Sequence, residues 1–279
     1  MPMPEGIFIE RAGFRTWLKW HRGRRQQGDI PFTRNRILQG MQDGASVEID
    51  LVCHAGGGFA VLHDETLDRD TTGTGPVRDA SADYLRSLSL RDANGNASPH
   101  PVLLLDDLCH LLQDVHCNHD AILQLDLKET AASLSAADIA AFAEAVAPVT
   151  DRVILSGGDA VAVEQLLAVV PDLKVGYDPC HDGAVERLME SRDFSGFVAG
   201  ALAAVPKAGM IYLEARLVLF AQDHGYDLVN AFHQAGKPID AYTIRRADAD
   251  SLPMVERLLA LKCDQITTDD PVGLERLLA

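Results

Sequence analysis

Residues 47–52 read Val-Glu-Ile-Asp-Leu-Val, a short apolar run in which two carboxylates stand two positions apart. Side chains of a β-strand alternate between its two faces, so Glu48 and Asp50 share one face. Residues 122–127, Ile-Leu-Gln-Leu-Asp-Leu, have a similar pattern and are followed by Lys128. Both segments therefore predict buried strands that present polar groups towards the end of the strand.

Short apolar runs of this kind alternate with longer amphipathic stretches along the chain. The predicted strands are residues 16–20, 47–52, 122–127, 152–155, 173–177, 210–213, 239–244 and 265–267. The predicted helices are residues 33–42, 136–146, 160–169, 182–191, 217–235 and 252–261. Eight strands with helical crossovers between most of them predict an α/β fold with a parallel sheet, and this number favours a (β/α)8 TIM barrel. An open doubly wound sheet is the alternative, but no Gly-x-Gly-x-x-Gly follows the first strand.

The length of 279 residues, with 47% apolar and 24% charged residues, is typical of a soluble globular protein. Barrels of this class reach such a length in one domain, and no linker divides the sequence, so we predict a single domain over residues 1–279. Residues from about 53 to 119 interrupt the alternation with a hairpin that turns at Gly56-Gly57-Gly58 and with loop-like pieces at 71–76 and 92–101. We interpret them as an insertion after the second strand that shapes access to the barrel.

The charge of the chain excludes some classes of binding partner, and its cysteine content indicates a cellular location. The formal net charge of −16 argues against nucleic acid or an anionic membrane as a partner. Around His21 the balance is locally reversed, because residues 11–36 hold eight basic side chains and one acidic side chain. No apolar run approaches the length of a membrane span, so no stable membrane insertion is expected. Five scattered cysteines and the lack of a signal-peptide pattern predict a reduced, cytoplasmic location.

The paired acids are the first chemical signal. Glu48 and Asp50 repel each other, and burying both without a partner is costly, a cost that a bound divalent cation removes. Asp126, near the end of its own strand, can supply a third ligand. Carboxylate oxygens suit Mg²⁺ or Ca²⁺ better than Zn²⁺, and Mn²⁺ is a further candidate. The alternatives are a pair of surface acids and, for Asp126, an internal ion pair with Lys128.

Basic and titratable side chains accompany these acids. Lys128 can contact a phosphate oxygen or hold a carboxylate in place, and Arg22 offers a planar fork to phosphate oxygens. Histidine as a residue type titrates near neutrality, so one of His21 and His63 can activate a nucleophile and the other can protonate a leaving alkoxide. A structural role is the alternative for each histidine. Together these residues predict metal-assisted phosphoryl transfer on a small-molecule phosphodiester.

The motifs occur in a specific order. Along the chain they are His21-Arg22-Gly23, Glu48-x-Asp50, His63-Asp64, Leu67-x-Arg69, Thr72-Gly73-x-Gly75-x-Val77, Asp126-x-Lys128, Ala241-Tyr242-Thr243 and Ile266-Thr267-Thr268-Asp269-Asp270-Pro271. In this order, over nearly the whole chain, they resemble the glycerophosphodiester phosphodiesterase family.

The resemblance implies a TIM barrel with one divalent metal ion, usually Mg²⁺ or Ca²⁺, held by Glu48, Asp50 and Asp126. It also implies acid–base catalysis by the two histidines. In the implied reaction a glycerol hydroxyl attacks phosphorus, the alcohol leaves, and water opens the cyclic phosphate. The expected activity is hydrolysis of a glycerophosphodiester to an alcohol and sn-glycerol 3-phosphate.

Two residues at later strand ends are candidates for substrate binding beside Arg22 and Lys128. Glu214 can bind glycerol hydroxyls or, alternatively, pair with Arg216. Tyr242 replaces the tryptophan usual in the family and adds a hydroxyl to an otherwise apolar wall.

Other departures from the family pattern also concern the site. Residues 32–36 keep only the asparagine of the usual Pro-Glu-Asn-Thr segment, and residues 55–58 replace an Asp-Gly hairpin. Asp126 stands where the third ligand is normally a glutamate, which is longer by one carbon–carbon bond. These departures leave two other functions open. One is the same chemistry on a lysophospholipid, a sphingolipid or a sugar phosphodiester, and the other is a catalytically silent phosphodiester-binding protein.

Overall fold

The structure, a computed structural model, describes residues 4–279 and alternates strands with helices along the chain. In this range the strands are β1 (Phe8–Arg11), β2 (Phe14–Trp20), β3 (Ser46–Cys53), β4 (Phe59–Val61), β5 (Ser89–Arg91), β6 (Ala97–Pro101), β7 (Ile122–Leu127), β8 (Val153–Gly157), β9 (Lys174–Val175), β10 (Ile211–Glu214), β11 (Ile239–Ile244) and β12 (Gln265–Thr268). The α-helices are α1 (Arg34–Asp43), α2 (Ala82–Ser87), α3 (Leu105–Asp114), α4 (Ala136–Val146), α5 (Ala160–Val169), α6 (Ala184–Ser191), α7 (Phe194–Ala204), α8 (Ala215–Asp223), α9 (Leu228–Gln234), α10 (Leu252–Ala260) and α11 (Pro271–Leu278). None of the helices in this range combines the length and apolarity needed to cross a lipid bilayer.

The described residues fall into two compact units. The first unit contains residues 4–21, 25–27 and 175–279, and the second contains residues 22–24 and 28–174.

The first unit is built on a parallel sheet in the order β10-β11-β12-β2, with β1 antiparallel to β2. Two strands of this sheet, β2 and β11, carry the residues of a buried ion pair. Lys19 Nζ is 2.7 Å from Asp240 Oδ2, and both side chains are almost completely buried. The hydroxyl of Thr267 donates to Asp240 Oδ1 at 2.7 Å. Buried charges persist when they are paired, as these two are, and Asp240 is also held by the hydrogen bond from Thr267.

The strand register of the first unit brings polar residues to one edge of its sheet. Glu214 is aligned with Tyr242, and Thr268 is aligned with Ile244 on one side and Trp20 on the other. After Thr268 the chain enters α11, where the Asp270 carboxylate accepts the Gly273 N–H at 2.8 Å as an N-cap. The segment from Thr268 to Asp270 therefore leaves the sheet in a fixed direction.

The second unit contains the parallel strands β3-β7-β8, with β4 antiparallel to the end of β3, and a separate two-stranded sheet of β5 and β6. Every residue of β3 is buried, as expected for a parallel strand covered on both faces. Helix α4 begins with a capping box formed by Ser135 and Asp138, and α3 packs against it. This unit holds all the predicted metal ligands.

The turn between β3 and β4 depends on glycine. Gly56, Gly57 and Gly58 have φ values of 88°, 95° and 121°, which L side chains rarely adopt. A Cβ on Gly57 would lie 2.8 Å from the Cβ of Ala137. The turn returns the chain along β3, pairing Cys53 with Phe59 and Leu51 with Val61.

The predicted (β/α)8 class is confirmed, since β2, β3 and β7 to β12 follow one another with helices between them. The glycine-turned hairpin and the hairpin insertion after the second predicted strand are also present. Two details differ. The predicted helix over 217–235 is two helices, α8 and α9, because Gly225 at φ 78° breaks it. The segment 92–101, expected to be a loop, contains β6, an edge strand that tolerates its prolines. The single domain with its insertion stays a prediction.

Candidate functional site: an acidic cluster with two basic partners

The register between β3 and β7 brings three carboxylates together in the second unit. Asp50 is aligned with Asp126, and Glu48 with Gln124, so alternate residues of both strands point to the same side. One carboxylate oxygen from each of Glu48, Asp50 and Asp126 lies within 4.8 Å of the others. Glu48 and Asp50 are buried, while Asp126 is partly accessible. We refer to these three residues as the acidic cluster.

Lys128 bridges two members of the acidic cluster. Its Nζ lies 2.8 Å from Asp50 Oδ1 and 2.5 Å from Asp126 Oδ2. Burial by itself lowers the pKa of Lys128, but attraction by Asp126, Asp50 and Glu48 outweighs burial and raises the pKa. Lys128 is therefore a permanent cation that holds in place one carboxylate from β3 and one from β7.

Arg22 contacts the cluster through both its backbone and its side chain. Its N–H donates to Glu48 Oε2 at 2.8 Å, and its Nε lies 3.2 Å from Asp50 Oδ2. The backbone of Arg22 is left-handed, with φ 56° and ψ 32°. This conformation is uncommon for a residue other than glycine, and it marks a locally constrained position.

The carboxylates of the acidic cluster disfavour one another's charged form. Burial, Asp50 and Asp126 raise the pKa of Glu48 well above its usual value, while Lys128 and the Arg22 N–H act in the opposite direction. Three carboxylates face two cations, Arg22 and Lys128. Buried Asp50 Oδ2 has the Nε of Arg22 as an ion-pair partner at 3.2 Å, but the contact is not a hydrogen bond, and this oxygen accepts none from the described residues. A divalent cation with hard oxygen ligands fits this set, because it would supply the missing charge and occupy a free lone pair.

Two polar residues without charge support Asp126. The hydroxyl of Ser156, on β8, donates to Asp126 Oδ1 at 2.6 Å. The side-chain amide of Gln124 donates to Ser156 Oγ at 2.8 Å. Both oxygens of Asp126 are thus engaged, one by Ser156 and the other by Lys128.

His63 lies in the second unit, two residues beyond β4. Its Nδ1 is 2.8 Å from Asp64 Oδ1, and Asp64 also lies 2.9 Å from the guanidinium of Arg69. The side chain of His63 is about one-third exposed (36%). With Nδ1 occupied by a carboxylate, Nε2 is the nitrogen left to exchange a proton.

His21 belongs to the first unit and has its own carboxylate partner. Its Nδ1 lies 2.5 Å from Asp269 Oδ1. The backbone N–H of Asp269 donates to the Ile244 carbonyl at 3.0 Å, which anchors the residue just after β12. A carboxylate at Nδ1 fixes the tautomer of an imidazole and makes Nε2 the basic nitrogen.

The two candidates for substrate binding, Glu214 and Tyr242, are already engaged. Glu214 accepts a hydrogen bond from Arg216, the alternative that the sequence left open. The Tyr242 hydroxyl donates to Asp178 Oδ2 at 2.6 Å. Burial and the nearby carboxylate of Asp178 raise the pKa of Tyr242, so its hydroxyl remains protonated. Roles in substrate binding for Glu214 and Tyr242 stay predictions.

The structure thus brings Glu48, Asp50, Asp126, Lys128 and Arg22 together, and it gives His21 and His63 similar carboxylate partners. Sequence reasoning missed the roles of Gln124 and Asp269 as partners of site residues. The alternation within β7 contained the signal for Gln124, since it lies two positions before Asp126 on the same face. Asp269 gave no local signal, because its partner His21 is 248 residues away in the chain.

Comparison with known proteins gives a consistent picture. The model of the glycerophosphoryl diester phosphodiesterase family matches residues 36–272, a range that includes the acidic cluster, Lys128 and His63 but begins after His21 and Arg22. No curated protein matches the chain.

Solved structures share the fold at low sequence identity. A glycerophosphodiester phosphodiesterase from Agrobacterium tumefaciens str. C58 is 22% identical with a TM-score of 0.66, covering 94% of this chain and 99% of its own. A glycerophosphoryl diester phosphodiesterase from Parabacteroides distasonis is 17% identical with a TM-score of 0.65, covering 97% and 88%. A phosphodiesterase from Oleispira antarctica, solved with the product sn-glycerol-3-phosphate, is 18% identical with a TM-score of 0.65, covering 94% and 96%.

Proposed function

Because the chain belongs to the glycerophosphoryl diester phosphodiesterase family, we propose that it is a metal-dependent hydrolase that converts glycerophosphodiesters to an alcohol and sn-glycerol 3-phosphate. The observation that carries this proposal is the acidic cluster. Three carboxylates converge within 4.8 Å inside the region that matches the family, and one buried oxygen among them lacks a hydrogen bond. The product bound in the Oleispira antarctica structure supports the choice of glycerol phosphate as the retained group.

We propose that Glu48, Asp50 and Asp126 hold one divalent metal ion, Mg²⁺ or Ca²⁺, with Mn²⁺ as a possible substitute. When bound, the ion would offset negative charge on the phosphate. Arg22 would add a fixed planar cation for the non-bridging phosphate oxygens. Lys128 would contribute a second positive charge to the phosphate while it holds Asp50 and Asp126 in place.

His21 and His63 would move the protons. In the proposed division, Nε2 of His21 accepts a proton from the attacking glycerol hydroxyl, and Nε2 of His63 gives a proton to the departing alkoxide. The attack forms a bond from the glycerol oxygen to phosphorus and breaks the bond from phosphorus to the alcohol oxygen, which yields a cyclic phosphate. Water then opens the ring with the proton transfers reversed, giving sn-glycerol 3-phosphate. The carboxylate at Nδ1 of each ring, Asp269 or Asp64, supports this use of Nε2.

The test is an enzyme-coupled assay for released sn-glycerol 3-phosphate. Glycerophosphocholine and glycerophosphoethanolamine are supplied first with EDTA and then with Mg²⁺, Ca²⁺ or Mn²⁺. We expect activity only after a metal is restored, and we expect His21→Ala, His63→Ala and Glu48→Ala to lose at least about 100-fold in kcat. His110→Ala, a change at an exposed histidine on α3, is the matched control and should keep full activity.

The same assay separates the other functions. If a lysophospholipid, sphingolipid or sugar diester is hydrolysed while both glycerophosphodiesters are inert, the reaction is as proposed but the substrate is a different phosphodiester. The Tyr242–Asp178 hydrogen bond is the observation that favours such a change, because it adds polar groups at the ends of the strands of the first unit. Binding of glycerophosphodiesters without metal-stimulated hydrolysis of any diester would contradict the enzymatic proposal and favour a binding protein.

We also propose a cytoplasmic location. All five cysteines, Cys53, Cys109, Cys117, Cys180 and Cys263, are free thiols, a state that reducing compartments maintain. Cell fractionation against marker enzymes tests this, and recovery of the protein outside the cytoplasmic fraction would contradict it.

A further inference from the structure

Asp126 is held from two sides by groups on neighbouring positions of the sheet. Its Oδ1 accepts the Ser156 hydroxyl at 2.6 Å, and its Oδ2 is 2.5 Å from Lys128 Nζ. A carboxylate oxygen has two lone pairs, so accepting one hydrogen bond does not prevent the same oxygen from binding a cation. The two contacts fix the plane of the carboxylate, which would otherwise rotate broadly about its last torsion.

Ser156 is itself fixed. It lies on β8 in register with Asp126, and its side chain is completely buried. The Gln124 amide donates to Ser156 Oγ at 2.8 Å. Because the hydroxyl has one proton and receives a hydrogen bond from Gln124, its proton is directed to Asp126. Gln124, Ser156 and Asp126 thus form a chain of hydrogen bonds that runs from the sheet interior to the acidic cluster.

We infer that Ser156, oriented by Gln124, is a positioning residue that holds Asp126 as a metal ligand and keeps it from closing onto Lys128. This inference rests on the proposed metal-dependent function. Without the hydroxyl, Asp126 is free to turn both oxygens towards Lys128, whose charge then competes with the metal for the same lone pairs. Partners of ligating carboxylates usually change metal affinity by about 10- to 100-fold when removed.

The experiment measures metal binding directly, without substrate. Mn²⁺ is titrated into the intact protein, and free Mn²⁺ is followed by its electron paramagnetic resonance signal. We compare the wild type with Ser156→Ala, Asp126→Ala and the double variant. Ser46→Ala is the matched control, since Ser46 is also a buried serine on a strand of this unit but lies at the start of β3.

We expect Ser156→Ala to weaken Mn²⁺ binding by about 10-fold or more and Ser46→Ala to leave it unchanged. Ser156 acts through Asp126, so the double variant should bind no more weakly than Asp126→Ala alone. Equal additive losses in both backgrounds would show a general structural effect and would overturn the inference. Unchanged affinity in folded Ser156→Ala would also overturn it.

Two further measurements keep the outcomes distinct. If circular dichroism shows that Ser156→Ala does not fold, Gln124→Ala replaces it, with an expected loss of about threefold or more that is again absent in the Asp126→Ala background. Unchanged affinity in Gln124→Ala would then count against the inference. If the wild type binds no Mn²⁺ at all, the proposed metal site fails together with the inference. If the wild type binds and only Ser156 and Gln124 prove neutral, the metal site stands and the inference alone fails.

Discussion

Replacing Glu48 by glutamine should stabilise the metal-free protein while removing most of its response to metal. Each pair of carboxylates in the acidic cluster has oxygen atoms within 4.8 Å. Two unit charges at that separation repel by about 3.5 kcal/mol at an effective dielectric constant of about 20. Glu48 meets this repulsion from both Asp50 and Asp126, while Lys128 attracts it. One positive charge at a similar separation would offset roughly one of the two repulsions. About 3 kcal/mol of unfavourable interaction therefore remains, and the substitution removes it. The amide still offers an oxygen to the Arg22 N–H.

Thermal unfolding in EDTA at pH 7.5 or so measures the effect. For a chain of this size about 1 kcal/mol corresponds to roughly 2–4 °C, so Glu48→Gln should raise Tm by about 6–12 °C. In the wild type, Mg²⁺ at about 100-fold over Kd should add about 2.7 kcal/mol of stability. The variant should lose most of that gain, because one of its three ligands no longer carries charge. Glu144→Gln, at an exposed position on α4, is the control and should behave as the wild type does.

The pH dependence of the free energy of unfolding, measured in EDTA, tests the same prediction a second time. The pKa of Glu48 is raised in the folded protein, so the folded state binds this proton more tightly than the unfolded state does. The resulting stability is present below the unfolded pKa of about 4.3 and is lost as pH rises through the raised folded pKa. The advantage of Glu48→Gln should therefore grow with pH over that window. A variant that melts at or below the wild-type Tm in EDTA, or that keeps the full Mg²⁺ response, would refute the reasoning.

Three further predictions concern other parts of the molecule. Asp269→Asn should lower kcat by about 100-fold without changing Mn²⁺ affinity, because it removes the carboxylate that sets the His21 tautomer; steady-state kinetics check this, and wild-type kcat would contradict it. Lys19→Met should cost about 3–5 kcal/mol in urea unfolding by leaving Asp240 buried and unpaired, and Lys19→Met/Asp240→Leu should regain a large part of that loss; equal losses in both variants would argue against a buried ion pair. Asp159→Ala should cost about 1 kcal/mol at pH 7, since Asp159 caps α5, and the difference from wild type should shrink as pH falls below about 4. The reason is that the Ala131 N–H and the α5 N–H groups lower the pKa of Asp159, so its contribution is present above the unfolded pKa and is lost in acid; a difference that is independent of pH would contradict it.

Strand positions could be predicted well because buried parallel strands have a simple pattern. The predicted strands at 47–52 and 122–127 agree with β3 and β7, and the alternation within them placed Glu48, Asp50 and Asp126 correctly on one side. Helix α7, in contrast, was missed. Its sequence, Phe-Ser-Gly-Phe-Val-Ala-Gly-Ala-Leu-Ala-Ala, contains two glycines and mostly small side chains, so its apolar face has little contrast with its other face.

The charged residues of the site could be predicted from the sequence, and the neutral ones could be predicted less well. Charged residues on an apolar strand are rare enough to be recognised, as with Asp126 and Lys128. Gln124 and Ser156 are ordinary residues in sequence, and only the register between β7 and β8 shows that they form a chain of hydrogen bonds to Asp126. The partner of His21 was missed for a similar reason, because a contact across the sheet edge depends on tertiary structure and leaves no local pattern.

The alignment of Asp50 with Asp126 has a consequence for how this protein can change during evolution or engineering. The three carboxylates of the acidic cluster come from two adjacent strands, and none of them lies on a loop that could adjust independently. Inserting or deleting one residue inside β7 before Asp126 would turn that side chain to the opposite face and leave an apolar neighbour in its place. Insertions and deletions should therefore be tolerated in the loops that connect the strands and helices, and they should abolish activity when they fall within β3 or β7. In a library of single-codon insertions across the gene, activity should be lost in two short, sharply bounded segments, at β3 and at β7.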